Sequence, residues 1–509
     1  MSDAASERVS SPPLAAANSR GNILRATSMI GGASMVSLLV GLSRMKVAAL
    51  VLGPVGVGLI GLFQNFMQTA TAVASLGLGT TGTRQIAEAT GKNDEARLEV
   101  ARVALFWGSL FLALAGAIVI WVFRLPLAQL VVGRTDQAST IGWLGLGVAL
   151  SVAAGAQTAL LTGLRRVRAL ATLTVGAATV SAAIGVTALL VAGPAGIVPF
   201  VIAAPVASFV LGIAYVRRIP HAARARIDRG ALRREWCVLA TLGLAFTVAG
   251  AATTAGQLAA RTLIQHEMGP FALGQFQAAW LISITYINFV LQAMTTDFYP
   301  RLSAVFDDKQ EVNRVVNDQA EIALMLAAPI LLGMMALAPW VTYLLYSNAF
   351  AATPVILQWQ ILGDALKIAS WPLGYLILAS GDGRTFMMVE IAAIAVFILV
   401  IRFGLRMVGL EATGIAVLAM YLFYLPLVYM VARHKTGFQW QRGVVIKAAV
   451  LAAALVTTFF AAGRSPMLGA IVGMVLATAF GVAAVRLIGD ALPGAVNRLI
   501  AIFRSRKAS

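Results

Sequence analysis

Arg44-Met45-Lys46-Val47-Ala48-Ala49-Leu50-Val51-Leu52-Gly53-Pro54, followed by Gly58 and Gln64, returns further along as Arg261-Thr262-Leu263-Ile264-Gln265-His266-Glu267-Met268-Gly269-Pro270, followed by Gly274 and Gln277. Each copy lies between two long apolar segments. Each sets a cation about two helical turns before a Gly-Pro break. Arg84 closes the first unit much as Arg301 closes the second. A membrane chain made of two related halves usually works by rocking one against the other around a shared cavity. The pattern is that of a carrier, and the lone cations point to what is carried.

The composition agrees. Of 509 residues, 59% are hydrophobic and 12% charged, and the mean hydropathy is +0.85. A soluble globule carries about 25% charged residues. Too little polar surface is present to coat a water-soluble body, so the chain reads as an all-α polytopic membrane protein. The single cysteine, Cys237, builds neither a disulfide framework nor a thiolate metal site. The histidines His221, His266 and His434 are scattered, which argues against a zinc motif. No metal or cofactor is expected. The net charge of +18 invites a nucleic-acid partner, but most of the 39 Lys and Arg fall in short loops between apolar segments, where they orient a protein in its membrane.

A membrane helix needs about 20 apolar residues, and that rule predicts about fourteen spans. They cover 24–51, 57–83, 101–123, 138–163, 169–193, 196–216, 236–261, 271–297, 319–346, 354–380, 385–404, 412–432, 444–463 and 467–488. With the N-terminus taken as cytoplasmic, roughly 30 Lys and Arg fall inside, 6 outside and 3 within spans, which predicts both termini inside. Residues 1–20 read as a disordered cytoplasmic tail. Residues 21–217 read as a lobe of six spans, 218–235 as a basic cytoplasmic linker, and 236–433 as a second lobe of six. Residues 434–509 add two spans and a basic tail. Leu146-Gly147-Val148-Ala149-Leu150-Ser151 matches Leu362-Gly363-Asp364-Ala365-Leu366-Lys367, so the two lobes read as parallel repeats. The charged stretches Arg84–Arg102 and Arg301–Arg314 read as amphipathic segments along the inner surface. The longest outer loop, near Leu125 to Gln137, leaves no room for an extracellular domain.

Polar residues at membrane depth mark the candidate site, because a charge there costs about 2.5–3.5 kcal/mol on insertion scales. Arg44 and Lys46 lie two residues apart and point to different sides of one helix. Arg44 is favoured as the inward one, since Arg261 stands at a similar distance before its own Gly-Pro. Asp364 and Lys367, three apart, share a helix face and can pair. That pair is either self-neutralising or a switchable contact, with Asp364 open to a proton or a cation. Glu390 is a further acid at depth, with Lys367 or Arg384 as potential partners. Gln64 and Gln68 share a face, and with Gln277 they offer donors and acceptors suited to sugar hydroxyls; interhelical bonding is the alternative. Trp359, Trp371 and Tyr375 serve either packing or interface anchoring. No GxxxxGK[ST] motif and no nucleophile–base constellation is present, so neither direct ATP drive nor catalysis is expected.

Several stretches resemble the Wzx-type flippases of the polysaccharide transporter family, in the multidrug/oligosaccharidyl-lipid/polysaccharide exporter superfamily. Leu52-Gly53-Pro54-Val55-Gly56-Val57-Gly58-Leu59 with Phe63-Gln64 is similar to that family's junction of spans 1 and 2. Tyr299-Pro300-Arg301-Leu302-Ser303 resembles its stop after span 8. Ser347-Asn348-Ala349-Phe350, Trp359-Gln360-Ile361-Leu362-Gly363-Asp364, Leu366-Lys367 and Gly374-Tyr375 resemble the O-antigen and lipid III (enterobacterial common antigen) branch, where Glu390 also has a counterpart.

The resemblance implies two six-helix lobes around a V-shaped central cavity. It implies an undecaprenyl-pyrophosphate-linked oligosaccharide as cargo, moved from the inner to the outer leaflet of the bacterial inner membrane for lipopolysaccharide or related polysaccharide transport. On this basis Arg44, Lys46, Arg261 and Lys367 are expected to meet the headgroup, and Gln64, Gln68 and Gln277 the sugar. Asp364 or Glu390 would couple a proton or monovalent cation. The expected partners are membrane lipids, a glycan polymerase and a chain-length regulator. The rival readings are a flippase for exopolysaccharide or peptidoglycan precursor, a drug/cation antiporter, a membrane polysaccharide polymerase or ligase, and a non-transporting assembly scaffold.

Overall fold

The computed structural model describes residues 14–219 and 229–491, with side chains outside 14–28, 229, 231–235, 237–246, 248–249, 292–297 and 487–491. The two tails, most of the basic linker, and the side chains of Gln292 and Asp297 lie outside these described residues. Among the described residues the fold is all helical. The helices in chain order are α1 (Leu14–Ala74), α2 (Leu78–Gly91), α3 (Glu95–Val122), the short α4 (Arg124–Val131), α5 (Ala138–Gly163), α6 (Val167–Ala192) and α7 (Ile197–Val216). They continue with α8 (Arg229–Ala304), α9 (Lys309–Leu345), α10 (Thr353–Ala379), α11 (Gly383–Val408), α12 (Ala412–Thr436), α13 (Arg442–Arg464) and α14 (Pro466–Ala491).

These helices expose apolar surface that water would not tolerate. Phe106, Trp107, Phe111, Leu114, Ile118 and Val119 all lie open on α3. In α14 only 22% of the apolar stretch is buried inside the fold. Nine helical stretches of the described residues are long and apolar enough to cross a bilayer, and Met29–Ala74, Val167–Val216 and Gly383–Thr436 each hold two helices. With the backbone of each stretch bonded within helices, such surfaces belong in hydrocarbon. The chain is a multi-pass membrane protein.

The breaks in the two longest helices fall where the sequence places them. In α1 the backbone leaves the helix at Gly53 (φ 64°, ψ −164°), and in α8 at Gly269 (φ 81°, ψ 178°). A positive φ strains any residue with a Cβ, and the following Pro54 and Pro270 supply no amide hydrogen, so each Gly-Pro ends one helix and starts the next.

Two predicted features differ. The span expected to reach residue 83 stops at Ala74, because Leu76 (φ 44°) and Gly77 (φ 65°) turn the chain into α2. That helix buries Ile86 and Ala89 and exposes Arg84 and Ala87, so the expected amphipathic segment is present only as far as Gly91; Glu95–Arg102 is the first part of α3. The Arg301–Arg314 stretch is not a separate surface helix. Arg301 lies in the last turn of α8 and Arg314 near the start of α9, whose first amides donate to the capping Asp308 carboxylate.

The backbone packs as two compact units. Among the described residues, one gathers 14–44, Ala70–Arg124, 138–219 and 229–248; the other gathers Met45–Thr69, Leu125–Gln137 and 249–491. In the first, α5 packs on α2, α3 and α7, over a core that includes Ile86, Leu105 and Leu161. In the second, α10 packs on α9 and α12, and α9 also carries α13 and α14. Its core holds Phe298, Val316, Leu373, Ile377, Val428 and Phe438. Two asparagines of α9 clasp the segment leading to α13: Gln439 N donates to Asn313 Oδ1 and Gln441 N to Asn317 Oδ1, both at 2.8 Å. Asp382 caps α11 and bonds Lys435 of α12 at 2.6 Å; that ammonium and the Thr385 hydroxyl hold its carboxyl well below the usual carboxylate range.

Candidate functional site

Within the second unit the two Gly-Pro elements cross each other. A Cβ on Gly274 would fall 1.9 Å from the Pro54 carbonyl oxygen, and one on Gly58 would fall 2.6 Å from the Pro270 carbonyl oxygen. The relation is reciprocal: each glycine admits the other copy's proline backbone. Small residues at such a crossing let helix backbones approach closely. The equivalence read from the sequence therefore has a local counterpart in space.

The crossing places Arg261. Its side chain is 3% exposed. Nε donates to Gln277 Oε1 at 3.0 Å and Nη1 to the Gln257 carbonyl at 3.1 Å. The guanidinium carbon lies 5.2 Å from the Trp280 ring centroid and 5.6 Å from that of Phe276. Among the described residues no carboxylate lies within the 4.0 Å of an ion pair with Arg261. Buried charges are ordinarily paired; this one has neutral amides and aromatic faces only. Asn65, 4% exposed, extends the polar cluster by donating from Nδ2 to Gln257 Oε1 at 3.4 Å, while its Oδ1 has no partner.

Gln257 and Trp280 also line a cavity of about 380 Å³. Its other walls come from α10 (Lys367, Ser370, Trp371, Tyr375), α11 (Phe386, Glu390, Phe397) and α12 (Tyr421, Tyr424). Trp371 and Tyr375 are four apart, on one face of α10, with ring centroids 4.6 Å apart. Lys367 stands with its ammonium 5.9 Å from the Tyr421 ring centroid. Glu390 accepts from the Tyr424 hydroxyl at 2.8 Å.

The remaining predicted residues are dispersed. Arg44 belongs to the first unit, where it donates to the Phe200 carbonyl and stacks 3.9 Å from that ring's centroid; its Nε is buried without a partner. Lys46 belongs to the second, where it donates to the Leu344 carbonyl at 2.6 Å, at the C-terminal turn of α9. A cation there complements the helix dipole. Gln64 and Gln68 do not line the cavity; Gln64 is half-buried and Gln68 exposed. Gln277 is spent on Arg261.

Three expected arrangements change in detail. Asp364 and Lys367 interact through charge, as their spacing predicts, but the hydrogen bonds to Asp364 come from elsewhere. Its Oδ2 accepts from Ser283 Oγ at 2.7 Å and from the Tyr286 hydroxyl, two residues on one face of α8. Two hydroxyl donors satisfy the buried carboxylate's hydrogen bonding, while Lys367, coupled to Asp364, Tyr421 and Glu390, lines the cavity. Glu390 accepts its hydrogen bond from Tyr424 and interacts with Lys367 through charge alone. Trp359 does not join Trp371 and Tyr375: it packs on the Phe459 ring at 4.6 Å and donates to Glu411 at 3.3 Å. Twelve residues of helix, about 18 Å, separate it from Trp371.

Sequence reasoning missed Gln257, Ser283, Tyr286, Tyr421 and Tyr424. The signal was present: Ser283 with Tyr286, and Tyr421 with Tyr424, are hydroxyls three apart in apolar runs, a spacing that sets both on one helix face. No cluster that would hold a metal is found among the described residues.

Comparison with known proteins agrees with this architecture. A family described as "Polysaccharide biosynthesis protein" matches residues 47–354. The "Lipid III flippase" of Escherichia coli (strain K12) is 22% identical over 425 residues, 80% of this chain and 97% of that protein; its Shigella flexneri counterpart matches equally. Among solved structures, "Lipid II flippase MurJ, inward closed conformation" superposes with a TM-score of 0.68 at 13% identity, covering 90% of this chain and 99% of that one. An inward-facing multidrug resistance MATE family transporter gives 0.66 at 16% identity, covering 79% and 94%. At such identities the likeness carries the fold. The chain belongs to the polysaccharide biosynthesis protein family and has the fold of the multidrug/oligosaccharidyl-lipid/polysaccharide exporter superfamily, to which Wzx-type flippases belong.

Proposed function

We propose that this chain is a flippase that moves an undecaprenyl-pyrophosphate-linked oligosaccharide, of the O-antigen or enterobacterial-common-antigen kind, across a bacterial inner membrane by alternating access. The observation that carries this reading is Arg261, a guanidinium buried in the second unit with no carboxylate beside it among the described residues. A fixed charge in such a place is matched by an anion that arrives with the cargo, and a fork of N–H donors suits a diphosphate. Gln257 and Trp280 touch both the guanidinium and the cavity, so the headgroup enters at that edge. The relatives that carry "flippase" in their names support a lipid-linked cargo.

Both termini lie in the cytoplasm in this reading. Arg44 and Lys46 serve the headgroup only by leaving their carbonyl partners during the cycle. Glu390, which faces the cavity, is the stronger candidate for coupling to a proton or cation; Asp364 is closed in by hydroxyls. A glycan polymerase and a chain-length regulator are the expected partners. The division into two six-helix lobes with a two-span appendix is the framework for the cycle.

The test is reconstitution of the full chain in vesicles with a labelled lipid-linked oligosaccharide. The expected result is faster movement of label between leaflets than in protein-free vesicles. Movement no faster than in protein-free vesicles, with the protein correctly inserted, contradicts the proposal.

A further inference from the structure

At the end of α11 two arginines share one acid. Arg402 and Arg406 lie four residues apart on one face of the helix, Arg406 in its last turn. Arg402 Nη1 stands 3.6 Å and Arg406 Nη2 3.7 Å from the same oxygen, Oε1 of Glu267, just before the Gly269 break in α8. Helix packing brings the three together. A Cβ on Gly256 would fall 2.1 Å from Ile394 Cγ2, so α8 and α11 touch there. About three turns further along both helices come Glu267 and the two arginines.

Two guanidiniums against one carboxylate leave one positive charge over. Both distances are too long for a hydrogen bond, so the N–H donors of the two forks remain unspent on Glu267. Glu411, the next acid along the chain, accepts from Trp359 of α10. Among the described residues no other acid pairs with either arginine. Both side chains are accessible, at 40% and 64% exposure.

The adjoining stripe of α11 is apolar. Leu399, Phe403 and Met407 repeat at the same four-residue spacing, one step round the helix from the arginines, and all three are exposed. One side of this helix end therefore offers an unneutralised cation, and the side next to it offers surface suited to hydrocarbon. These are the two needs of a phospholipid. A phosphodiester carries one negative charge, which balances the count, and its oxygens fit guanidinium forks. Orientation in the membrane does not account for the pair. With both termini inside, as proposed above, α11 ends at the outer surface, on the side that is poor in basic residues.

We propose that Arg402 and Arg406 hold the headgroup phosphate of an anionic phospholipid of the outer leaflet, with an acyl chain along Leu399, Phe403 and Met407. Glu267 keeps the two guanidiniums together and limits the site to a single negative charge. The proposal takes only the side of the membrane from the topology given above. It needs no particular cargo, so it stands or falls apart from the flippase reading.

The experiment titrates the delipidated full chain in detergent with short-chain phosphatidylglycerol, with the matching phosphatidylcholine, and with inorganic phosphate, and counts bound molecules by native mass spectrometry. The wild type is expected to take up one phosphatidylglycerol saturably, about tenfold more tightly than phosphatidylcholine, the scale of one charge-assisted bond. Inorganic phosphate is expected not to compete at equal concentration, because it has no chain for the apolar stripe. Arg402→Gln with Arg406→Gln is expected to abolish the preference between the two lipids. If that double variant does not fold, Arg406→Gln alone, at the more exposed position, is expected to reduce it. Glu267→Gln removes the competing acid and is expected to strengthen phosphatidylglycerol binding at least about twofold while leaving phosphatidylcholine unchanged. A purely structural clasp would give the opposite sign. Arg464→Gln takes the same charge from the last turn of α13, at the same side of the membrane, and is expected to change nothing. Equal binding of the two lipids in the wild type overturns the proposal. So does an unchanged preference in the arginine variants, weaker phosphatidylglycerol binding in Glu267→Gln, a loss in Arg464→Gln as large as theirs, or competition by phosphate, which would mark a site for free anions.

Discussion

Asp364 shows how a single buried charge is made tolerable in this fold. It is 3% exposed, and both donors on its Oδ2, Ser283 and Tyr286, come from α8. A hydrogen bond to a charged group is worth about 1.5–3 kcal/mol. Tyr286→Phe removes one donor and no bulk, so it is expected to destabilise the protein by about that amount, read as a lower thermal midpoint in detergent. The double variant Tyr286→Phe with Asp364→Asn should recover part of the loss, because no charge is then left short of a donor. An unchanged midpoint in Tyr286→Phe would mean that this hydroxyl does not support the carboxylate. The pairing was hidden in the sequence for a physical reason. Lys367 lies three residues away and Ser283 eighty-one. Local spacing offers only the near partner, and the choice of the far one is made by helix packing.

At the scale of elements, the two Gly-Pro breaks were the most legible feature of the chain, because a positive φ and a missing amide hydrogen leave a residue-type signature. What spacing could not show is that the breaks meet. The reciprocal approach of Gly274 to Pro54 and of Gly58 to Pro270 depends on how α1 and α8 cross within the second unit. At this crossing backbone opposes backbone, so a methyl group has no flexible side chain to push aside. Gly274→Ala is expected to force the elements apart at a cost of about 1–3 kcal/mol, seen as a lower melting midpoint and slower lipid movement. Gly333→Ala, where a Cβ meets nothing within 4 Å, serves as the control and should leave the midpoint unchanged. Equal midpoints for the two variants would remove the crossing as a packing constraint. The amphipathic α2 was legible from its charges, but its start was not: the turn at Leu76 and Gly77 interrupts a run whose hydropathy continues.

Across the whole molecule, hydropathy predicted the helices closely because in hydrocarbon a polypeptide has few alternatives to them. The candidate site was only partly legible. Arg261, Gln277, Lys367 and Glu390 stood out as polar residues at depth. The structure sorts them into two environments: an amide-held guanidinium without an acid, and a charge-balanced aromatic cavity. The tyrosines and Gln257 that build those environments are ordinary in composition and become informative only when α8, α10, α11 and α12 converge.

The central claim is that the Arg261 charge is kept for the cargo. It is tested most directly by the initial rate of lipid-linked oligosaccharide movement in vesicles for the wild type, Arg261→Lys and Arg261→Gln, inserted to equal levels. Loss of a charge-assisted bond worth about 1.5–3 kcal/mol corresponds to a rate lower by about ten- to a hundredfold. The account predicts a fall of that size for Arg261→Gln and an intermediate rate for Arg261→Lys, which keeps the charge without the fork. A wild-type rate in Arg261→Gln would contradict it.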